Sequence, residues 1–124
     1  MSTHAYIGIE NGDNTVSYIY CHFDGYVSGV GLGLLENYNT ENAARELIES
    51  GDQSSLGKPY RDQPGERWED IKPGIDANVS DFFDPKQGCA GSYYYLFTNG
   101  SWIVRMPGKT AKVGVRRALE KGAY

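Results

Sequence analysis

Asn99-Gly100 stands between two runs that favour extended chain, Ser92 to Thr98 and Ser101 to Met106. An Asn-Gly pair in that setting is the strongest short-range signal for a two-residue β-hairpin, because both turn residues must take positive φ and these two do so at little steric cost. The loop length then sets the register. Thr98 faces Ser101, and counting outward pairs Phe97 with Trp102, Leu96 with Ile103, Tyr95 with Val104 and Tyr94 with Arg105. Alternation over Tyr6 to Glu10, a turn at Asn11-Gly12-Asp13-Asn14 and a second run from Thr15 to Phe23 predict another hairpin.

Helical periodicity lies between and after the hairpins. From about Ser28, the residues Val30, Leu34, Leu35 and Tyr38 fall on one stripe, weakened by Gly29, Gly31 and Gly33. A second helix starts at Thr40 as N-cap, turns Ala43, Ala44, Leu47 and Ile48 to one side and stops at Gly51. A third runs from roughly Thr110 to Lys121. From Leu56 to Gly91 the periodicity fades among Pro59, Pro64, Pro73 and Pro85, with room for a helical turn or two between Ile75 and Phe83. These elements predict a single α+β domain over residues 1–124: an antiparallel sheet of two β-hairpins with two or three helices packed mainly on one face.

Composition supports a folded chain only through its aromatics. Leu, Ile, Val and Phe make up about a fifth of the residues, close to the level at which chains stay disordered. Ten Tyr and two Trp supply the missing apolar area, and a net charge of -4 is too small to hold the chain open. No apolar run reaches the roughly 20 residues of a membrane span, and Met1-Ser2-Thr3-His4 lacks the pattern of a signal peptide. Cys21 and Cys89 are too few for a disulfide framework or a zinc cage, so a reducing compartment and a fold without metal are expected. Charge is uneven. Arg105, Lys109, Lys112, Arg116, Arg117 and Lys121 against Glu120 give the last 20 residues a net +5, which leaves -9 on the rest. A basic strip of this kind suits phosphate or an acidic protein, although a solvated helix face balancing an acidic body explains it as well, and direct nucleic-acid binding is not expected from a chain of pI near 5.1.

Three motifs invite chemical readings. Gly108-Lys109-Thr110 ends like a phosphate-binding loop, but Ile103 stands where the motif's first glycine belongs and too little chain follows for a nucleotide fold. Gly29-Val30-Gly31-Leu32-Gly33 has the wrong spacing for a dinucleotide fingerprint and follows a strand of an antiparallel hairpin, so close backbone packing is the simpler account. Cys21-His22-Phe23-Asp24-Gly25-Tyr26 is the densest group of reactive side chains. Strand alternation places Cys21 in the core with Ile19 and Phe23, and His22 on the opposite face with Val16, Tyr18 and Tyr20. His22 and Asp24 are close enough in sequence to meet as a His-carboxylate pair oriented for proton transfer. Without a companion nucleophile or second acid, a structural or ligand-contacting role fits them better, and no catalytic set is assigned.

The run Ile19-Tyr20-Cys21-His22-Phe23-Asp24-Gly25-Tyr26, with Tyr6 to Glu10 before it and Gly29-Val30-Gly31 and Leu34-Leu35-Glu36-Asn37-Tyr38 after it, resembles a family of small tailed-bacteriophage accessory proteins. Leu47-Ile48, Gly51-Asp52, Ser54 to Gly57 and the Tyr93 to Trp102 hairpin extend the likeness to roughly half the chain. Phe23 departs from the Trp of that signature. The resemblance implies a phage or prophage gene product that acts in the host cytoplasm, commonly by binding and blocking a host protein of an antiviral defence, and it transfers no catalytic residues. Two other readings stand beside it: a sponge that sequesters a small nucleotide signal, and a small enzyme built on His22 and Asp24. No cofactor is expected, and the oligomeric state is left open.

For a binding protein the candidate surface follows from the alternation. The first hairpin leaves Tyr6, Tyr18, Tyr20 and His22 opposite its apolar face, and the second leaves Tyr94 beside Arg105. Joined in one sheet these residues form a Tyr-rich platform, next to which lie Asp24 and Tyr26 at the strand end. The expected contact residues are therefore His22, Asp24, Tyr26, Tyr18, Tyr20, Tyr94 and Arg105. The competing expectation is that the Leu56 to Gly91 segment folds over this face.

Overall fold

The computed structural model describes residues 3–59, 73–84 and 91–122. In chain order the elements are β1 (Ala5–Glu10), β2 (Val16–Cys21), a π-type turn (Val27–Gly31) running into α1 (Leu32–Asn37), α2 (Glu41–Glu49), β3 (Gln53–Ser55) and β4 (Lys58–Pro59). They continue with β5 (Gly74–Asp76), α3 (Val79–Phe83), β6 (Tyr93–Thr98), β7 (Ser101–Arg105), β8 (Lys112–Gly114) and α4 (Val115–Glu120).

Both predicted hairpins form. Asn99 and Gly100 take φ of 51° and 80°, and β6 pairs with β7 from Thr98↔Ser101 to Tyr94↔Arg105, the register that a two-residue loop dictates. β1 pairs with β2 from Ala5↔Cys21 to Glu10↔Val16. What joins them is a parallel pairing of β1 with β6, Ala5↔Tyr93 to Ile9↔Phe97. The sheet is thus mixed and has eight strands in the order β4-β3-β2-β1-β6-β7-β8, with β5 also on β2, which corrects the expectation of an antiparallel sheet of two hairpins. Parallel pairing joins segments distant in sequence, and strands of two or three residues are too short to show alternation, so neither leaves a local signature.

The outer edge of β2 is shared. β5 covers Val16 to Tyr18, β3 meets Cys21, and between them the Asp52 carboxylate accepts the Tyr20 backbone N–H at 2.9 Å. Burial raises the Asp52 pKa, and this hydrogen bond opposes the rise.

Ile7, Ile9, Ile19, Cys21, Tyr95, Phe97, Trp102 and Val104 form one face of the sheet and pack against Val27, Val30, Leu34, Ala44, Leu47, Ile48, Val115 and Ala118. The helices therefore lie mainly on one face, as expected. α2 has the predicted caps: the Thr40 hydroxyl accepts the Ala43 N–H at 3.1 Å, and Gly51 takes φ of 85°. Gly29 sits where a Cβ would lie 2.3 Å from the Asp24 carbonyl oxygen, which supports close backbone packing for that glycine. The last helix is shorter than its periodicity predicts. Lys112–Gly114 pairs with β7 instead, and the helix begins only at Val115. α3 falls in the interval read as room for a turn or two, and packs Phe82 and Phe83 with Val16, Tyr94 and Leu96 on the opposite face of the sheet.

Candidate functional site

Sheet register lines up Tyr20, Tyr6, Tyr94 and Arg105 in one row across β2, β1, β6 and β7. The ring centroids of Tyr6 and Tyr94 are 5.3 Å apart and stacked, and those of Tyr6 and Tyr20 are 5.5 Å apart. The two hairpins thus bring the expected tyrosines together, but the row is not uniformly accessible. Phe82 packs edge-on against Tyr94 at 5.9 Å and leaves it 2% exposed. Arg105 donates from Nε to the Lys109 carbonyl at 2.8 Å and from Nη1 to the Phe83 carbonyl. Tyr94 and Arg105 therefore serve the packing of α3, which corrects their placement on an open platform. Tyr6, Tyr18 and Tyr20 remain half-buried. Burial, followed by the carboxylates of Asp76 and Asp52, raises the Tyr18 phenol pKa.

At the end of β2 the side chains change partners. His22 stacks on His4 with centroids 4.7 Å apart and meets the edge of Phe23 at 4.5 Å. Its Nδ1 shares a 2.8 Å hydrogen bond with the Tyr20 hydroxyl. The His22 carbonyl can only accept, so the proton of its 2.8 Å bond with His4 Nδ1 sits on His4. Asp24 accepts the Tyr26 hydroxyl at 3.1 Å, and that bond raises the Tyr26 pKa. His22 and Asp24 do not meet as the His-carboxylate pair that their spacing allowed; each is bonded instead to a tyrosine two residues away. His4 is a member that sequence reasoning missed: it lies outside every periodic segment, and only the β1-β2 register brings it beside His22.

The backbone of this turn is fixed from every side. His22 N–H donates to the Gln53 carbonyl at 3.1 Å, Phe23 N–H to Ser54 at 2.9 Å and Gly25 N–H to Thr3 at 2.8 Å. Val30 N–H donates to the Asp24 carbonyl at 2.8 Å, and the buried Tyr95 hydroxyl donates to the Gly25 carbonyl at 2.7 Å. Glycine is required at position 25, since a Cβ there would lie 2.6 Å from the His4 carbonyl oxygen. Asp24 takes a φ of 60°, a left-handed conformation uncommon outside glycine. The result is a rigid loop that holds Phe23, 45% exposed, and Asp24 in solvent. Phe23 thereby departs from the core position that strand alternation gave it, because β2 ends at Cys21. Cys21 itself is fully buried, and burial pushes its thiol up to about 12, which makes it a packing group and not a nucleophile at neutral pH. Cys89 lies outside the described residues.

Two hollows flank the central strands. One, of about 290 Å³, lies between the glycine-rich turn and Leu56 and has Asp24 and Asn37 in its wall. The other, of about 450 Å³, opens at the carboxyl ends of β1 and β6, where the two hairpins diverge. Its polar side chains are cross-linked: Thr98 donates to Glu10 at 2.5 Å, Arg45 to Asn11 at 2.9 Å, and Asn11 to Thr15 and Ser17, each at 3.0 Å. The parallel pairing that creates this cleft is the feature local sequence patterns miss. Among the described residues no group of three or more His, Cys, Asp or Glu is placed to hold a metal ion, and no helix is long and apolar enough to cross a membrane. No family model matches the chain, and no curated protein or solved structure shows significant similarity to it.

Proposed function

We propose that this protein acts by binding a protein partner through the His22 to Tyr26 loop, and that it does so as a phage accessory protein blocking a component of host antiviral defence in the host cytoplasm. The observation that carries the binding reading is the loop itself: an exposed aromatic and a carboxylate on a backbone already immobilised before any partner arrives. Preorganisation lowers the entropy lost on association, and a rigid aromatic supplies contact area at little further cost. A non-glycine residue held in a left-handed conformation at such a place is the kind of strain that clusters at functional sites. Phe23 and Asp24 are the central contacts in this reading, with Tyr26 and the half-buried edge of His22 at the rim. The phage assignment rests on the sequence resemblance alone.

Affinity capture from host lysate, with the bound protein identified by mass spectrometry and its affinity remeasured with purified components, tests the reading. Phe23→Ala should weaken that complex by about 1 to 3 kcal/mol with the fold intact. An undiminished affinity in both Phe23→Ala and Asp24→Ala would move the contact surface elsewhere.

A further inference from the structure

Gly108-Lys109-Thr110 fails as a nucleotide-hydrolysing loop, yet the fold gives its last residue a new setting. Gly108 reverses the chain with φ of 75°, Lys109 N–H donates to the Met106 carbonyl at 3.1 Å, and Thr110 comes to line a cavity of about 180 Å³ with Lys112, Arg105, Ser80 and Asp84. Arg105 is held rigidly here. Its bonds to the Lys109 and Phe83 carbonyls fix the guanidinium against the end of α3. Lys112 holds its ammonium 5.3 Å from the centroid of the Phe83 ring. Among the described residues Lys112 makes no ion pair, and the Ser80 and Thr110 hydroxyls make no side-chain hydrogen bond. Two fixed or anchored cations and two hydroxyl donors thus converge on one hollow, with Asp84 as its acidic wall among the described residues. Lys109, exposed and next to Thr110 in the same turn, adds a further positive charge close by.

We propose that this pocket binds a phosphate group, either inorganic phosphate or the phosphate of a small monoester. A phosphate presents several acceptor oxygens and about -1.5 to -2 charges near neutral pH, which matches an ammonium point charge, the remaining guanidinium N–H donors and two hydroxyls. Lys112 supplies most of the attraction, Thr110 and Ser80 orient the oxygens, and Asp84 sets an upper limit on affinity by repulsion. Phe83 is buried beneath Lys112 and offers no stacking face, so an organic substituent would project toward solvent. The pocket is separate from the His22 to Tyr26 loop, and each proposal stands or falls without the other.

Nuclear magnetic resonance titration of the ¹⁵N-labelled full chain at constant ionic strength tests it, with sodium phosphate in one arm and adenosine 5′-monophosphate in the other. Saturable shifts at the amides of residues 108–112 and 80–84 are expected in both arms. Similar affinities identify phosphate alone as the recognised group, and tighter binding of the monophosphate shows that the substituent adds contacts. Lys112→Met should weaken binding about tenfold or more and Asp84→Asn should strengthen it, whereas Arg116→Met, at an exposed position of α4, should change it little. Shifts that never saturate, that are equal in Lys112→Met with its spectrum otherwise intact, or that centre on other residues overturn the proposal.

Discussion

The two faces of the sheet are built from alternate residues of the same strands, yet they behave differently. On one, Ile7, Ile9, Ile19, Tyr95, Phe97, Trp102 and Val104 are buried beneath α1, α2, α4 and the π-type turn. On the other, Phe82 and Phe83 of α3 bury Val16, Tyr94 and Leu96, while Tyr6, Tyr18, Tyr20 and His22 stay half-buried and carry hydroxyls and an imidazole in place of methyl groups. The first face gives the chain one packed core, in which aliphatic and aromatic side chains interdigitate and the polar groups of Tyr95 and Trp102 are met by the Gly25 and Tyr38 carbonyls. The second is partly core and partly a half-buried surface of polar aromatic side chains. Position across the sheet therefore decides the role of a tyrosine here more than its face does: Tyr94 and Tyr20 occupy one row on different strands, and Tyr94, with Phe82 packed against it, is 2% exposed while Tyr20 is half-buried.

The largest effects should locate that division. Trp102→Ala removes a side chain 1% exposed, whose indole N–H donates to the Tyr38 carbonyl at 2.9 Å, and should cost about 3 to 5 kcal/mol in urea unfolding. Tyr94→Ala should approach the same range, because this ring is core despite facing the other way. A loss below about 1 kcal/mol for Tyr94→Ala would return it to the open part of the second face.

A smaller effect joins the core to the binding loop. Tyr95→Phe leaves the buried Gly25 carbonyl without its donor, and should cost about 1 to 3 kcal/mol while removing almost no volume. Hydrogen exchange should show the loss as faster opening of amides at Gly25 and Val30, the loop's anchors. Unchanged protection there would show that the strand contacts alone hold the loop.

Smaller again is His22→Ala. The imidazole is half-buried and has one side-chain hydrogen bond and a stack on His4, so the variant should lose about 0.5 to 1.5 kcal/mol, well below the cost at Trp102. A cost equal to that of Trp102→Ala would mean that this end of the second face is as much core as the first.

These contrasts also mark how far the residues alone reach. Local information was enough for the β6-β7 register, since Asn99-Gly100 sets the loop length, and for α2, since Thr40 and Gly51 bracket one apolar stripe. It was enough to put Cys21 and His22 on opposite faces. It did not extend to the β1-β6 pairing, to β3, β4 and β5, or to His4 beside His22, all of which depend on contacts between distant segments. Val113 shows the competition directly. It fits a helical stripe by sequence, but pairing opposite Val104 takes it into the sheet. The partial covering of the tyrosine row by α3 agrees in part with the competing expectation that the Leu56 to Gly91 segment folds over this face, but which tyrosine it covers depends on where α3 lands and not on its own periodicity.

The smallest effect tests what holds the outer edge of the tyrosine-bearing strand β2. Asp52 accepts the Tyr20 N–H where neither β3 nor β5 pairs, and its pKa is raised in the folded state, chiefly by burial. A carboxyl with a raised folded pKa binds its proton more tightly when folded. The stability it contributes is fully present below the unfolded value of about 3.9 and is lost as pH rises through the folded value. At pH 7 the charged form therefore carries a net desolvation cost, reduced by the solvent that still reaches the group. Asp52→Asn keeps an acceptor for Tyr20 without that charge, so it should be more stable than the wild type by a few tenths of a kcal/mol, on the order of 0.5, at pH 7. The advantage should shrink toward zero near pH 3, where the wild-type carboxyl is neutral. Paired urea titrations at the two pH values isolate the difference, since every other carboxylate is common to both proteins. If the variant is instead less stable at pH 7, the charge-assisted bond to Tyr20 outweighs burial, and the edge of β2 is held by the carboxylate's charge and not merely by its acceptor.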